Sequence, residues 1–135
     1  MSLFVWSEKH SVNVREMDEQ HKKLIGMVNQ LHDAMRKGKG KEALDRILYD
    51  LIQYTRSHFA DEERLLRTEG YPQIEEHQKR HYNMTQKVAA IYRDYQDGKA
   101  NITIEVMTFL ENWVDRHIMG TDKQYGLYLN SKGIF

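Results

Sequence analysis

Cysteine is absent from this chain of 135 residues, and proline occurs only once. Without cysteine the chain forms no disulfide and supplies no thiolate to zinc or to an iron–sulfur cluster. Because proline disrupts helices and Pro72 is the single example, long stretches are left able to form uninterrupted helix. Any metal site would therefore have to be built from histidine and carboxylate side chains.

An excess of charge of either sign is also absent, because 20 basic residues balance 20 acidic ones. Nothing in this balance favours binding to nucleic acid or to an anionic membrane surface. The N-terminus lacks the basic start and apolar core of a signal peptide. No apolar run approaches the roughly 20 residues that span a bilayer. We therefore expect a cytoplasmic protein without membrane insertion.

Helical periodicity appears in four segments, which short glycine-bearing breaks separate. The segments cover about 18–37, 41–69, 72–97 and 101–119, with Asp18 as the expected N-cap of the first. Residues up to about Met17 look irregular, and a short helical tail around Tyr125 to Leu129 follows Gly120. This pattern predicts one all-α domain over residues 1–135, an up-down-up-down four-helix bundle.

Six side chains with metal-binding groups occupy positions on the apolar stripes of these helices, where leucine is expected. They are His21, His58, Glu62, His77, His81 and His117. An unpartnered ionised glutamate is costly to bury, whereas a metal ion would accept its lone pairs directly. In an up-down-up-down bundle all six positions fall at the same end. The sequence therefore predicts one layer of metal ligands.

A further carboxylate near His117 is not fixed by the spacing. Asp122 follows His117 by five residues, which turns it about 140° away in a regular helix. Gly120 would let the backbone depart from that geometry. Asp115 is the alternative, and spacing alone does not choose between them. His10 and His32 lie outside the pattern and are expected to be structural or on the surface.

Other metal sites and chemistries fit the ligand set less well. One tetrahedral zinc takes four ligands, fewer than the set offers, which suits two ions of higher coordination number. Ferritin-like sites use Glu-x-x-His motifs, and no glutamate here stands three residues before a histidine. The His-Glu-x-x-His pattern of zinc proteases is absent as well.

Four motifs in this order resemble the hemerythrin family over nearly the whole chain. They are Asp18-Glu19-Gln20-His21-Lys22, His58-Phe59-x-x-Glu62-Glu63, His77-x-x-x-His81 and His117-Ile118-x-x-x-Asp122. The gaps between the motifs are more similar to bacteriohemerythrins than to invertebrate oxygen carriers. The resemblance implies two iron ions (Fe2+/Fe3+) joined by an oxo or hydroxo bridge. It also implies that Glu62 and Asp122 bridge them.

The resemblance further implies that His77, His81 and His117 bind one iron, and that His21 and His58 bind the other. The second iron then keeps one position for O2. The expected function is reversible O2 binding without catalysis, for storage, transport or delivery to an oxygen-using enzyme. The alternatives are a sensor of O2 or redox state acting on a separate partner, and an enzyme handling peroxide or nitric oxide. Expected pocket residues are Leu24, Phe59, Trp113, Val114 and Ile118.

Overall fold

The computed structural model describes residues 5–38, 41–98 and 104–135, with side chains from residue 107 onward in the last range. A short 3-10 turn, Glu8–His10, precedes five α-helices, and a π-helix, His117–Asp122, joins the last two. The α-helices are α1 Arg15–Arg36, α2 Lys41–Thr68, α3 Ile74–Gln96, α4 Ile104–Arg116 and α5 Lys123–Ser131. The all-α prediction is confirmed.

The long helices form a four-helix bundle in which each helix buries one apolar stripe. α1 packs against α2, α2 against α3, and α4 closes the bundle against α1. The stripes meet in one core, which includes Leu31 of α1, Leu48 of α2, Met84 of α3 and Met107 of α4. The predicted bundle is confirmed. The expected start of the fourth helix at Asn101 and the expected inward side chain of Val106 lie outside the described residues.

The connection between α2 and α3 places two stretches of the predicted ligand layer opposite each other. Gly70 has a φ of +69°, a left-handed conformation that glycine adopts without strain. The Tyr71 N–H then donates to the Leu66 carbonyl over 2.9 Å, the long-range bond of a Schellman motif. This turn ends α2 abruptly, so α3 returns directly alongside it.

The prediction that Asp18 is the N-cap of the first helix is wrong, because α1 begins one turn earlier, at Arg15. Asp18 instead binds the N-terminal segment, residues 5–14. Its carboxylate accepts a hydrogen bond of 2.6 Å from the Ser11 hydroxyl and one of 2.8 Å from the Val12 N–H. The aspartate satisfies a backbone donor as a cap does, but that donor, the Val12 N–H, belongs to the preceding loop.

The N-terminal segment, expected to be irregular, packs closely on α4 and α5. His10 is buried, its Nδ1 accepts from the Ser7 N–H over 3.1 Å, and its Nε2 lies 2.9 Å from an Asp115 carboxylate oxygen. His32 is buried on α1. Both histidines lie outside the predicted ligand layer, as a structural role requires.

The prediction that the last long helix ends at Met119 is wrong. α4 continues through the π-helix into α5, and α5, Lys123–Ser131, confirms the short helical tail expected around Tyr125–Leu129. Gly120 does not break the helix, because glycine can also adopt ordinary helical angles. Within the described ranges every helix is too short or too polar to cross a lipid bilayer.

Gly126 of α5 permits close contact with the N-terminal segment, which makes a sharp test of this packing possible. A Cβ added there would overlap the carbonyl oxygen of Val12 and lie 3.1 Å from its carbonyl carbon. We expect Gly126→Ala to lower the free energy of unfolding by about 1–3 kcal/mol, because the segment must move away. Chemical denaturation followed by circular dichroism measures the change.

Gly26 provides the matched control, because it is exposed in the middle of α1 and a Cβ there would meet nothing within 4 Å. Gly26→Ala should raise the free energy of unfolding by about 0.5–1 kcal/mol through helix propensity. Equal effects of the two substitutions would show that the N-terminal segment does not pack on α5 as described.

Candidate metal centre

The structure brings all seven predicted ligand side chains together at one end of the bundle. Each is buried, with Glu62 and Asp122 fully so and His117 the most exposed at 6%. Four elements contribute them: α1 supplies His21, α2 His58 and Glu62, α3 His77 and His81, and the π-helix His117 and Asp122. The cluster therefore depends on the whole bundle.

The π-helix explains how Asp122 reaches this cluster. In a π-helix the hydrogen bonds connect residues five apart, so positions 117 and 122 lie one above the other on the same face. The Nε2 of His117 accordingly lies 3.0 Å from Oδ1 of Asp122. Asp115, the alternative left open by the spacing, points elsewhere and contacts His10 with a side chain that is 44% exposed.

Glu62 lies between two groups of histidines and presents one oxygen to each. Its Oε1 is 2.7 Å from Nε2 of His77 and 3.1 Å from Nε2 of His81. Its Oε2 is 3.3 Å from Nε2 of both His21 and His58. A carboxylate with its two oxygens divided in this way is arranged to bridge two cations.

Asp122 repeats the arrangement from the other side. Its Oδ1 is 3.0 Å from Nε2 of His117, and its Oδ2 is 3.1 Å from Nε2 of His21. The donor atoms form two sets, and both sets include Glu62 and Asp122. Within each set, all donor atoms lie within 4.8 Å of one another. One set includes three histidines, His77, His81 and His117, and the other includes two, His21 and His58.

The distances between donor atoms fit the ligands of a shared metal ion as well as they fit hydrogen bonds. Nε2 of His81 and Nε2 of His117 lie 3.1 Å apart. Adjacent ligands of an octahedral ion with bonds of about 2.1 Å are about 3 Å apart. Both oxygens of Asp122 lack a hydrogen bond within the described part of the chain, despite histidine nitrogens at 3.0 and 3.1 Å. Their lone pairs are therefore available to a cation.

The electrostatics of the cluster also favour cations. Burial alone lowers the pKa of His21, but the neighbouring carboxylates of Asp122 and Glu62 outweigh burial and raise it to about 10. Burial and the charge of Glu62 raise the pKa of Asp122, yet His117 and His21 bring it down to about 2. Two carboxylates that stay ionised at full burial require positive charge beside them, supplied by protons or by metal ions.

Two polar side chains outside the predicted set orient the histidines. Gln20 Oε1 lies 2.6 Å from Nδ1 of His58, and Glu63 Oε2 lies 2.8 Å from Nδ1 of His81. With Nδ1–H donating to these oxygens, Nε2 of each ring is left with its lone pair toward the cluster. Neither residue was predicted from the sequence, although each stands directly beside a predicted ligand in one of the four motifs.

Tyr125 is a third residue whose contact with the cluster was not predicted from the sequence. Its fully buried hydroxyl donates a 2.7 Å hydrogen bond to Oε2 of Glu62. Burial, followed by the charges of Glu62 and Asp122, raises the pKa of Tyr125 well above its usual value, so the hydroxyl remains a donor. Its role was not predicted because the fourth helix was expected to end at about Met119, before Tyr125.

Apolar residues surround the cluster, and three of the five expected pocket residues line a small cavity. Leu24, Trp113 and Val114 line it together with Thr55 and other side chains, and it has space for one water-sized molecule, about 20 Å³. Phe59 instead stacks on the His81 ring, with centroids 3.8 Å apart and 5° between planes. Ile118 is buried in the π-helix and is not part of the lining.

Comparison with known proteins identifies this arrangement. The family model "Hemerythrin HHE cation binding domain" matches residues 12–128. The chain belongs to the hemerythrin family. Within hemerythrins, it is 34% identical over 125 residues to bacteriohemerythrin from Stenotrophomonas maltophilia, covering 93% of this chain and 80% of that protein. It is 31% identical to bacteriohemerythrin from Methylococcus capsulatus, covering 97% of this chain and 100% of that protein.

Solved hemerythrin structures share the fold. The crystal structure of a wild-type hemerythrin superimposes with a TM-score of 0.89 at 30% identity, covering 93% of this chain and 96% of that one. A more distant relative is the myohemerythrin of Theromyzon tessulatum, 26% identical over 122 residues and covering 90% of each chain. Hemerythrin membership and the histidine–carboxylate cluster together support a non-haem iron site.

Substitution of Glu63 tests whether contacts to Nδ1 orient the histidines of this hemerythrin site. Glu63→Leu removes the acceptor for Nδ1 of His81, and we expect metal affinity to fall by about tenfold to a hundredfold because the imidazole loses its orientation. Glu63→Gln keeps an acceptor oxygen and should retain most of the affinity. Competition with a metal chelator measures both variants. Equal losses of metal affinity in the two variants would show that metal binding depends on the negative charge of Glu63 rather than on its acceptor oxygen.

Proposed function

We propose that this chain binds O2 reversibly at a carboxylate-bridged di-iron site, with an oxo or hydroxo bridge between the ions. Its physiological role would be storage, transport or delivery of O2 to an oxygen-using enzyme. Family membership and the buried histidine–carboxylate cluster support the O2 site. Bound iron would supply the redox chemistry by which O2 is held and released.

The observation that carries this proposal is the unequal number of histidines. Three imidazole nitrogens converge on one side of Glu62 and Asp122, and two converge on the other. If both carboxylates and one solvent-derived bridge serve both ions, the group containing His21 and His58 is one ligand short. An asymmetric pair with one open position is arranged to bind one small ligand at one ion.

The apolar surroundings suit such a ligand. The small cavity lies about one helical turn from the ligands, because Leu24 follows His21 by three residues and Thr55 precedes His58 by three. Its lining is almost wholly apolar, so O2 loses little hydration on entering it, whereas ions are excluded. A dry environment also limits proton access to bound oxygen, which protects a reversible carrier from irreversible oxidation.

Equilibrium O2 titration of the iron-loaded protein tests the function directly. A carrier should show a visible absorption spectrum that appears with O2 and returns to the deoxygenated spectrum when O2 is removed, over repeated cycles. Rapid loss of reversibility, with many turnovers of peroxide or nitric oxide per site, would instead identify an enzyme. An O2-dependent change in binding to a separate protein would identify a sensor.

Glu62→Ala tests the bridging assignment, with Glu42→Ala as control. Glu62 presents an oxygen to both histidine groups, so its removal should lower iron content from two ions per chain to one or none. Glu42 is exposed in the first turn of α2, at the opposite end of the bundle, and its replacement should leave iron content unchanged. Metal analysis of the purified variants measures this. Two ions retained in Glu62→Ala would contradict the bridging role.

A further inference from the structure

A second pocket opens between α3 and the α4–π-helix junction, on the outer side of the metal centre. It has a volume of about 340 Å³, within the range of small-molecule sites. Arg80 contributes from α3, while Arg116 and Asn112 contribute from α4. His117 forms part of the wall, so the pocket touches the most exposed histidine of the cluster.

The charged groups of this pocket are arranged to receive an anion. Arg80 is fixed by Glu76, at 3.0 Å, and by the Thr121 hydroxyl, at 3.4 Å. Glu76 balances one of the two guanidinium groups, which leaves the pocket with an excess of positive charge. Lys87 adds to this excess, because its Nζ lies 4.4 Å from the ring centroid of Phe109, which lines the pocket. Arginine forks match the two oxygens of a carboxylate.

The remaining walls are aromatic. Phe109 and Trp113 stand four residues apart on α4 and so lie on one face of the helix. The indole of Trp113 stacks on the His117 imidazole, with centroids 4.4 Å apart and 12° between planes. Aromatic side chains beside two guanidinium groups favour a ligand with a planar apolar body and one carboxylate.

We propose that this pocket binds a small aromatic carboxylate between Arg80 and Arg116, against the edge of Trp113 and His117. The site is separate from the iron position at which O2 would bind. A ligand in this pocket would contact the outer side of His117, a predicted iron ligand, without entering the metal cluster. The proposal does not depend on O2 binding, so each can fail while the other holds.

Isothermal titration calorimetry of the iron-loaded protein with benzoate tests the proposal. Acetate lacks the ring and benzyl alcohol lacks the charge, so we expect each to bind at least about tenfold more weakly than benzoate. Benzoate affinity should also fall as salt concentration rises. Inorganic phosphate that bound more tightly than benzoate would overturn the assignment to an aromatic carboxylate, as would equal affinity for benzyl alcohol.

Arg116→Gln tests whether benzoate binds in this pocket, with Arg46→Gln as the matched control. Arg46 is exposed near the start of α2, at the end of the bundle away from the ligands. We expect Arg116→Gln to weaken benzoate binding at least about tenfold and Arg46→Gln to leave it unchanged. Benzoate that coordinated iron instead would bind Arg116→Gln as tightly as the parent protein, which would refute the proposal.

Trp113 gives an independent readout, because the chain has only one other tryptophan, Trp6. In a Trp6→Phe background, benzoate should change Trp113 fluorescence with the same dissociation constant that calorimetry gives. A calorimetric signal without any fluorescence change would place the ligand away from this pocket and overturn the proposal.

Discussion

The structure depends on the burial of two carboxylates, Glu62 and Asp122, at one end of an otherwise apolar bundle. An isolated ionised carboxylate in such a place is strongly unfavourable unless positive charge or hydrogen bonds offset its lost hydration. Here five imidazoles and one phenol surround the pair. α1, α2, α3, the π-helix and α5 each bring at least one of these groups, so the helices must pack together before the two carboxylates are neutralised.

The burial of these carboxylates among helices explains which residues of the cluster could be predicted from the sequence and which could not. The five histidines and Glu62 were predictable, because their three- and four-residue spacings follow regular α-helix and a polar residue on an apolar stripe stands out. Asp122 was not predictable from spacing, since its position depends on a π-turn for which the sequence has no pattern. The departure from α-helical geometry expected at Gly120 is confirmed, but its form was not predictable, because glycine permits several backbone conformations and tertiary contacts select one.

Gln20, Glu63 and Tyr125, which contact the predicted ligands, illustrate a second limit of prediction from sequence. Gln20 and Glu63 occupy polar positions beside predicted ligands, where an exposed polar residue is the ordinary expectation. Only the direction of each side chain reveals its contact with an imidazole. Tyr125 has a hydroxyl and an aromatic ring, so burial among apolar residues is equally consistent with its sequence position. Orientation of this kind depends on the relative rotation of packed helices, which hydrophobic periodicity does not specify.

The π-helix itself needs support, because its hydrogen-bond geometry is less favourable than that of an α-helix and it occurs mostly as single turns. The N-terminal segment supplies contacts on both sides of it. His10 contacts Asp115, just before the π-helix, and Val12 packs against Gly126, just after it. The Asp122 carboxylate adds its contacts with His117 and His21 in the interior. The irregular backbone is thus held from outside by the segment and from inside by the cluster, so a segment without ligands of its own still helps to position Asp122.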